Sequence, residues 1–168
     1  MQVILYMAIS ANGYITKENH ETPWCEEELD SYSSKVKEVG NIIIGKTTYD
    51  LMIEENIFEQ IGNPFVVVLT SSKEKPNSDK VVFVDNFDSG LEELENKGFT
   101  IALVAGGGKT DSAALDSGKL SELYLDVEPH IFGKGIPVFS PVDSDLDLDL
   151  LDTKPIGKSG LQLHYKVK

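Results

Sequence analysis

The sequence has one cysteine, one tryptophan and little positive charge. A lone Cys25 cannot form an intrachain disulfide, so a reducing compartment suits the chain and a cytoplasmic location is expected. Its plain reading is a helix-start residue beside Trp24, because a nucleophile would need a base that the sequence does not place. Long apolar runs are missing too. The opening Val3-Ile4-Leu5-Tyr6-Met7 is too short to span a bilayer and lacks the flanks of a signal peptide, so it reads as a buried strand. Lys and Arg number 15 against 28 Asp and Glu, for a net charge of −13. Such a surface repels phosphate backbones and anionic lipid, which argues against nucleic-acid or membrane partners. Repeats, low-complexity tracts and linkers are absent, and 168 residues fit a single domain over residues 1–168.

What is present is a series of short β-branched runs, at Val3 to Ile9, Asn41 to Ile44, Pro64 to Leu69, Val81 to Val84, Thr100 to Val104 and Leu120 to Val127. Helical patterns lie between most of them. Glu26 to Glu38 sets Leu29, Tyr32, Val36 and Val39 near one face behind an acidic first turn. Asp88 to Lys97 stops at Gly98, and a third helix runs from about Lys109 to Asp116. This alternation predicts an α/β fold: a mixed, mostly parallel sheet with helices on both faces. Near the end, Leu146, Leu148 and Leu150 alternate with aspartates, and Leu161, Leu163 and Tyr165 alternate with polar residues, with turn residues from Pro155 to Gly160. The period of two predicts an antiparallel C-terminal hairpin. The aspartate row lacks EF-hand spacing and reads as a solvated edge, so no metal is expected.

Four loops follow predicted strands, and in a parallel sheet they gather at the carboxyl edge, where α/β proteins bind ligands. The first is Ser10-Ala11-Asn12-Gly13-Tyr14-Ile15. In the second, Gly45-Lys46-Thr47-Thr48-Tyr49, free amides, hydroxyls and a cation open a short helix and suit a phosphate. In the third, Leu69-Thr70-Ser71-Ser72-Lys73, hydroxyls and a lysine suit the ribose phosphate that separates NADPH from NADH. The fourth is Val104-Ala105-Gly106-Gly107-Gly108-Lys109, whose glycines let a pyrophosphate approach the backbone. Neither the Rossmann nor the Walker spacing is present. Each loop alone also reads as an ordinary turn; their joint placement is what carries weight.

With these residues in hand, the chain resembles the dihydrofolate reductase superfamily, particularly its riboflavin-biosynthesis reductase-like branch (the RibD C-terminal domain). The likeness rests on Ala8, Asn12-Gly13-Tyr14-Ile15, Pro23-Trp24, the glycine and threonine loops above, Leu123-Tyr124-Leu125 and Phe132-Gly133-Lys134-Gly135-Ile136-Pro137-Val138-Phe139. It implies a three-layer dihydrofolate-reductase-like fold and NADPH as cofactor. Lys46, Thr47, Thr48, Thr70 and Ser71 then lie at its phosphate end, with Gly45 and Leu69 in the same loops. Gly106, Gly107, Gly108 and Lys109 lie at the pyrophosphate, and Ala8 and Ile15 near the nicotinamide. Trp24, Leu29, Tyr32 and Tyr49 line the substrate side. The expected reaction is hydride transfer to a C=N or C=O bond of a pterin-like or pyrimidine-ribose compound, such as 5-amino-6-(5-phosphoribosylamino)uracil. A homodimer is implied as well. Dihydrofolate reductases carry a carboxylate five residues past the tryptophan, where this chain has Leu29. Glu28 and Asp30 flank it; Glu28 has the better claim as proton source because Tyr32 shares its helical face four residues on. A solvated first turn remains the alternative for both acids. Dihydrofolate reductase proper and a catalytically silent nucleotide-binding module are the rival functions. His20, His130 and His164 have no partner evident in the sequence and read as surface residues.

Overall fold

The computed structural model describes residues 1–72, 76, 78–142 and 144–168. In chain order the elements are β1 (Gln2–Ser10), β2 (Tyr14–Lys17), α1 (Glu26–Val39), β3 (Asn41–Gly45), α2 (Lys46–Glu54), α3 (Ile57–Gln60), β4 (Phe65–Leu69) and β5 (Val81–Val84). They continue as α4 (Phe87–Asn96), β6 (Ile101–Val104), α5 (Gly108–Asp116), β7 (Leu120–Glu128), β8 (Gly135–Pro137), β9 (Leu148–Ile156) and β10 (Gly160–Val167). Eight strands form one sheet in the order β5-β4-β3-β6-β1-β7-β10-β9. All of its pairings from β5 to β7 are parallel, and β10 closes antiparallel on both β7 and β9.

The alternation of side chains along each strand divides the core in two. Leu5, Ile43, Val67 and Val104 face α4 and α5 through Leu91, Leu94 and Ala114. Ile4, Tyr6, Ile42, Ile44 and Leu103 face α1 and α2 through Val36 and Met52. Both faces of the central strands are therefore covered, and the expected three layers are present. Where β3 meets β6 the ladder is short, and the buried Asn41 side chain spans the gap: its amide donates to Ile101 O at 2.8 Å and its oxygen accepts from Leu103 N–H at 3.3 Å.

Three features differ from the sequence reading. A separate ribbon pairs β2 with β8, elements of four and three residues that are too short to show a pattern. The helix α3 is also additional. The hairpin's first strand begins at Leu148 and runs through Pro155, so Asp145 and Asp147 precede it and the turn shortens to residues 157–159. Proline is tolerated there because β9 is an edge strand whose outward N–H needs no partner. Among the described residues, no helix is long and apolar enough to cross a membrane.

Candidate functional site

The loops after β1, β3 and β6 meet at the carboxyl edge of the sheet. Gly45 N–H donates to Gly106 O at 2.9 Å, tying the second loop to the fourth. A side chain at Gly107 would touch Thr48 Oγ1 at 3.4 Å and Ile15 Cδ1 at 3.8 Å. The Gly106–Gly107 peptide is cis, and Gly106 has φ +90°, a region that L side chains rarely adopt. At Gly108 a Cβ would lie 2.5 Å from Pro137 O, so the helix start and β8 approach to a distance only glycine allows. The first-loop residues hold the remaining wall. Asn12 clamps Phe132, donating to its carbonyl at 2.8 Å and accepting from its N–H at 3.1 Å, and Val138 N–H donates to Gly13 O at 3.0 Å. Trp24 stacks on Phe132 at 5.7 Å between ring centroids, with His130 beside it.

The third loop sits one strand further out, with Leu69 opposite Gly45 in the β3–β4 ladder and Thr70 N–H donating to Val84 O. Ser71 is exposed, and Lys73 lies outside the described residues. Lys46 forms an ion pair with Asp50 one turn along α2 at 2.6 Å; Thr47 and Lys109 are exposed. The Lys46 pair is solvent-exposed, so exchanging Asp50 for a phosphate costs about 1 kcal/mol or less.

Under α1 the structure gathers three acids. Glu28, Asp126 and Glu128 are 5 %, 0 % and 2 % exposed. Glu28 comes from the first turn of α1, whereas Asp126 and Glu128 lie on one face of β7 with Glu122 and Tyr124. Ala8 stands opposite Asp126 in the β1–β7 ladder, so the acids lie beside the end of β1. Tyr6 OH donates to Asp126 Oδ2 at 2.6 Å, and Gln162 Nε2 donates to Oδ1 at 2.8 Å. Ser31 Oγ lies 2.8 Å from Tyr6 Oη. Cys25 Sγ–H donates to Glu128 Oε1 at 3.2 Å; burial and that carboxylate push the thiol pKa up, away from nucleophilic character. Burial, then repulsion from Asp126 and Glu128, pushes Glu28 up to about 8. Burial also raises Asp126, against the opposing bonds from Tyr6 and Gln162. The Tyr6 phenol is held well above its ordinary range, first by burial and then by Asp126, and stays protonated.

The aromatic residues expected on the substrate side occupy separate places. Tyr32 packs its ring on Tyr6 at 5.7 Å, beside the acids. Tyr49 packs against Phe58 and Phe83. Leu29 is 38 % exposed, one turn before Ser33, whose hydroxyl donates to Gln60 O. Asp30 is exposed, while Glu28 is not the solvated residue that an acidic first turn ordinarily gives. Two hollows flank the acids. A groove of about 480 Å³ has Tyr6, Ser31, Lys35, Tyr124 and Gln162 in its walls, and a crevice of about 280 Å³ has Cys25, Glu128, His130 and Lys158.

Several residues of chemical interest escaped the sequence reading. Asp126 and Glu128 sit in a strand whose alternation resembles a solvated face. Asp111, in the first turn of α5, is fully buried with no side-chain hydrogen-bond partner among the described residues; burial pushes its pKa well up, the nearby Gly106 backbone only partly opposing it. His164 is not the unpartnered surface residue expected: Nε2 lies 2.7 Å from Glu122 Oε2 and the ring stacks on Tyr124. No three His, Cys, Asp or Glu side chains among the described residues are grouped to hold a metal ion.

Comparison with known proteins finds a match to the RibD C-terminal domain family over residues 1–161. The chain is similar to the uncharacterized protein YwjB of Bacillus subtilis (strain 168), 28 % identical over 98 % of this chain and 97 % of that protein. A second protein of that strain, the uncharacterized YyaP, is 22 % identical over 98 % and 94 %. Among solved structures, a candidate riboflavin biosynthesis protein from Shewanella sp. PV-4 has a TM-score of 0.84 at 24 % identity, covering 100 % of this chain and 99 % of that one. The diaminohydroxyphosphoribosylaminopyrimidine deaminase/5-amino-6-(5-phosphoribosylamino)uracil reductase of Thermotoga maritima has a TM-score of 0.77 at 19 % identity, over 99 % of this chain and 56 % of that one. At these identities the structural likeness establishes the shared fold.

Proposed function

Because the chain belongs to the RibD C-terminal domain family, we propose that it is a cytoplasmic reductase that uses NADPH to reduce a C=N or C=O bond in a small pterin-like or pyrimidine-ribose compound. The family includes reductases of riboflavin biosynthesis. The observation that carries the reading is the cradle at the carboxyl edge, where Gly45 ties the loop after β3 to the glycine loop after β6, and Gly108 packs so close to β8 that a methyl group there would collide with Pro137 O. Such a surface fits a diphosphate, which needs amides and close approach more than side chains. NADPH, when bound, supplies the hydride.

The chain's own residues do the rest. The amides from residue 106 onward and the start of α5 hold the diphosphate; Thr48 serves it from α2, and Lys46 serves the ribose phosphate that separates NADPH from NADH. Ile15 covers the cradle and excludes water. Glu28, buried and protonated near neutrality, holds the proton that the reduced nitrogen or oxygen takes up.

The test begins with NADPH added to the purified protein, followed by nicotinamide fluorescence and melting temperature. Loss of reduced-nicotinamide absorbance is then followed with dihydrofolate and with a ribosylaminopyrimidine, offered separately. Turnover of the pyrimidine supports the proposal, and turnover of dihydrofolate alone makes the protein a dihydrofolate reductase proper. Binding without turnover on a broad panel identifies a silent module, and no binding at saturating NADPH refutes the reading.

A further inference from the structure

Three buried carboxyls share the space between α1 and β7, and the hydrogen bonds around them are unequal. Both oxygens of Asp126 receive donors, Tyr6 OH at 2.6 Å and Gln162 Nε2 at 2.8 Å. Among the described residues, Glu128 receives only the weak Cys25 donor at 3.2 Å. Glu28, 5 % exposed, receives none from the described residues. Donors favour the charged form of a carboxyl, and a carboxyl without them keeps its proton. Neighbouring carboxyls in unlike surroundings separate into an acid and an ion.

We infer that this cluster divides charge and proton, with Asp126 as the ion gripped by Tyr6 and Gln162, Glu28 as the neutral acid, and Asp126 a positioning residue that governs Glu28 without touching substrate. The residues argue for the division from several elements. Tyr6 of β1 and Gln162 of β10 both end on Asp126, and Ser31 of α1 braces Tyr6 from the helix side. Lys154 of β9 also favours the ionised Asp126. The other ionisable groups acting on Glu28 or on its neighbours are Glu128 of β7, Tyr32 one turn along α1, and Cys25 through Glu128. None of them supplies a cation to Glu28. Its catalytic use rests on the proposed role of Glu28 as proton source; the division itself does not.

Carbon-13 titration of the Asp and Glu carboxyls separates the two. In the wild type, Glu28 titrates well above an ordinary glutamate and above Asp126. Asp126→Asn lowers the Glu28 midpoint by about one pH unit or more, the effect of a like charge at close range. Tyr6→Phe lowers it as well, because Asp126 then competes for the proton. Each substitution nearly conserves volume, and either one alone reports the effect if the other fails to fold. A Glu28 midpoint unmoved in both, or an Asp126 that keeps its proton after Glu28 has lost its own, overturns the inference. Turnover against pH is the second reading. The alkaline limb moves to lower pH in Asp126→Asn by the same interval as the carboxyl midpoint. If the midpoint moves and the limb does not, the division stands and Glu28 is not the proton source.

Discussion

Replacing Glu28 by glutamine removes a titration while keeping the side chain's shape, and its effect on stability can be worked out beforehand. The carboxyl shifts from 4.5 to about 8 on burial beneath α1. Between those values the folded protein holds a proton that the unfolded chain has released. The wild type therefore loses stability as pH rises through this window, at about 1.4 kcal/mol per pH unit. Below the unfolded value, and again above the folded one, Glu28 contributes no slope. The whole window amounts to about 5 kcal/mol as an upper figure. The Glu28→Gln variant has no such slope, although its amide needs partners and costs a constant amount, roughly 1–3 kcal/mol. The difference between the two proteins therefore matters less than its change with pH. From about pH 5.5 to about pH 7.5, the variant gains about 2.7 kcal/mol on the wild type. Urea unfolding followed by Trp24 fluorescence at several pH values measures this directly. A gap that stays constant within about 0.5 kcal/mol across that range refutes the claim that Glu28 is folded in its neutral form.

Two further outcomes test the cofactor edge. Gly108→Ala places a methyl 2.5 Å from Pro137 O, a backbone atom that cannot rotate away; overpacking of about 1–3 kcal/mol lowers the melting temperature by roughly 3–10 °C and weakens NADPH binding. Gly133→Ala, with nothing within 4 Å, is the control, and equal melting of the two variants contradicts the cradle geometry. Lys46→Ala removes an exposed cation now paired with Asp50; it raises the NADPH dissociation constant about fivefold and leaves NADH nearly unaffected, as a charge worth about 1 kcal/mol would. Equal loss for both nucleotides places Lys46 away from the ribose phosphate.

The parts of the fold readable from sequence are those governed by local rules. The Ile42-Ile43-Ile44 and Val66-Val67-Val68 runs are apolar on both faces, and they are the strands buried on both faces. Within the glycine run, Gly108 marks where backbone comes close and Gly106 takes a positive φ, both of which glycine permits. Four-residue spacing puts Glu28 on the same helical face as Tyr32, and both lie against Tyr6 or its neighbours. The missed features depend on distant contacts. Asp126 and Glu128 alternate with apolar residues as a half-solvated strand would, and only the return of α1 over β7 buries them. The two donors to Asp126 lie 120 and 36 residues away in sequence. The aspartate–leucine alternation near the end misplaces the strand's start and end, because a bulge between His164 and Tyr165 shifts the register and the strand continues through Pro155.

The burial of these acids also bears on why the chain keeps them. Apolar filling under α1 is within reach of this sequence: Ile42, Ile44 and Leu103 lie in the same layer with Val36 of the helix. Substituting such residues for the acids removes the cost of burying Asp126 as an ion and of holding Glu28 in its neutral form. Tyr6, Gln162 and Ser31 converge there in one hydrogen-bonded network that satisfies the buried Asp126. Perturbed acids concentrated in one place are characteristic of proton chemistry. Ala8, opposite Asp126, puts that chemistry near the end of β1, one turn before β2, whose Ile15 reaches the glycine cradle. Reduction of a C=N or C=O bond needs a hydride at carbon and a proton at nitrogen or oxygen, and the proposed function assigns the first to a nucleotide in the cradle and the second to Glu28.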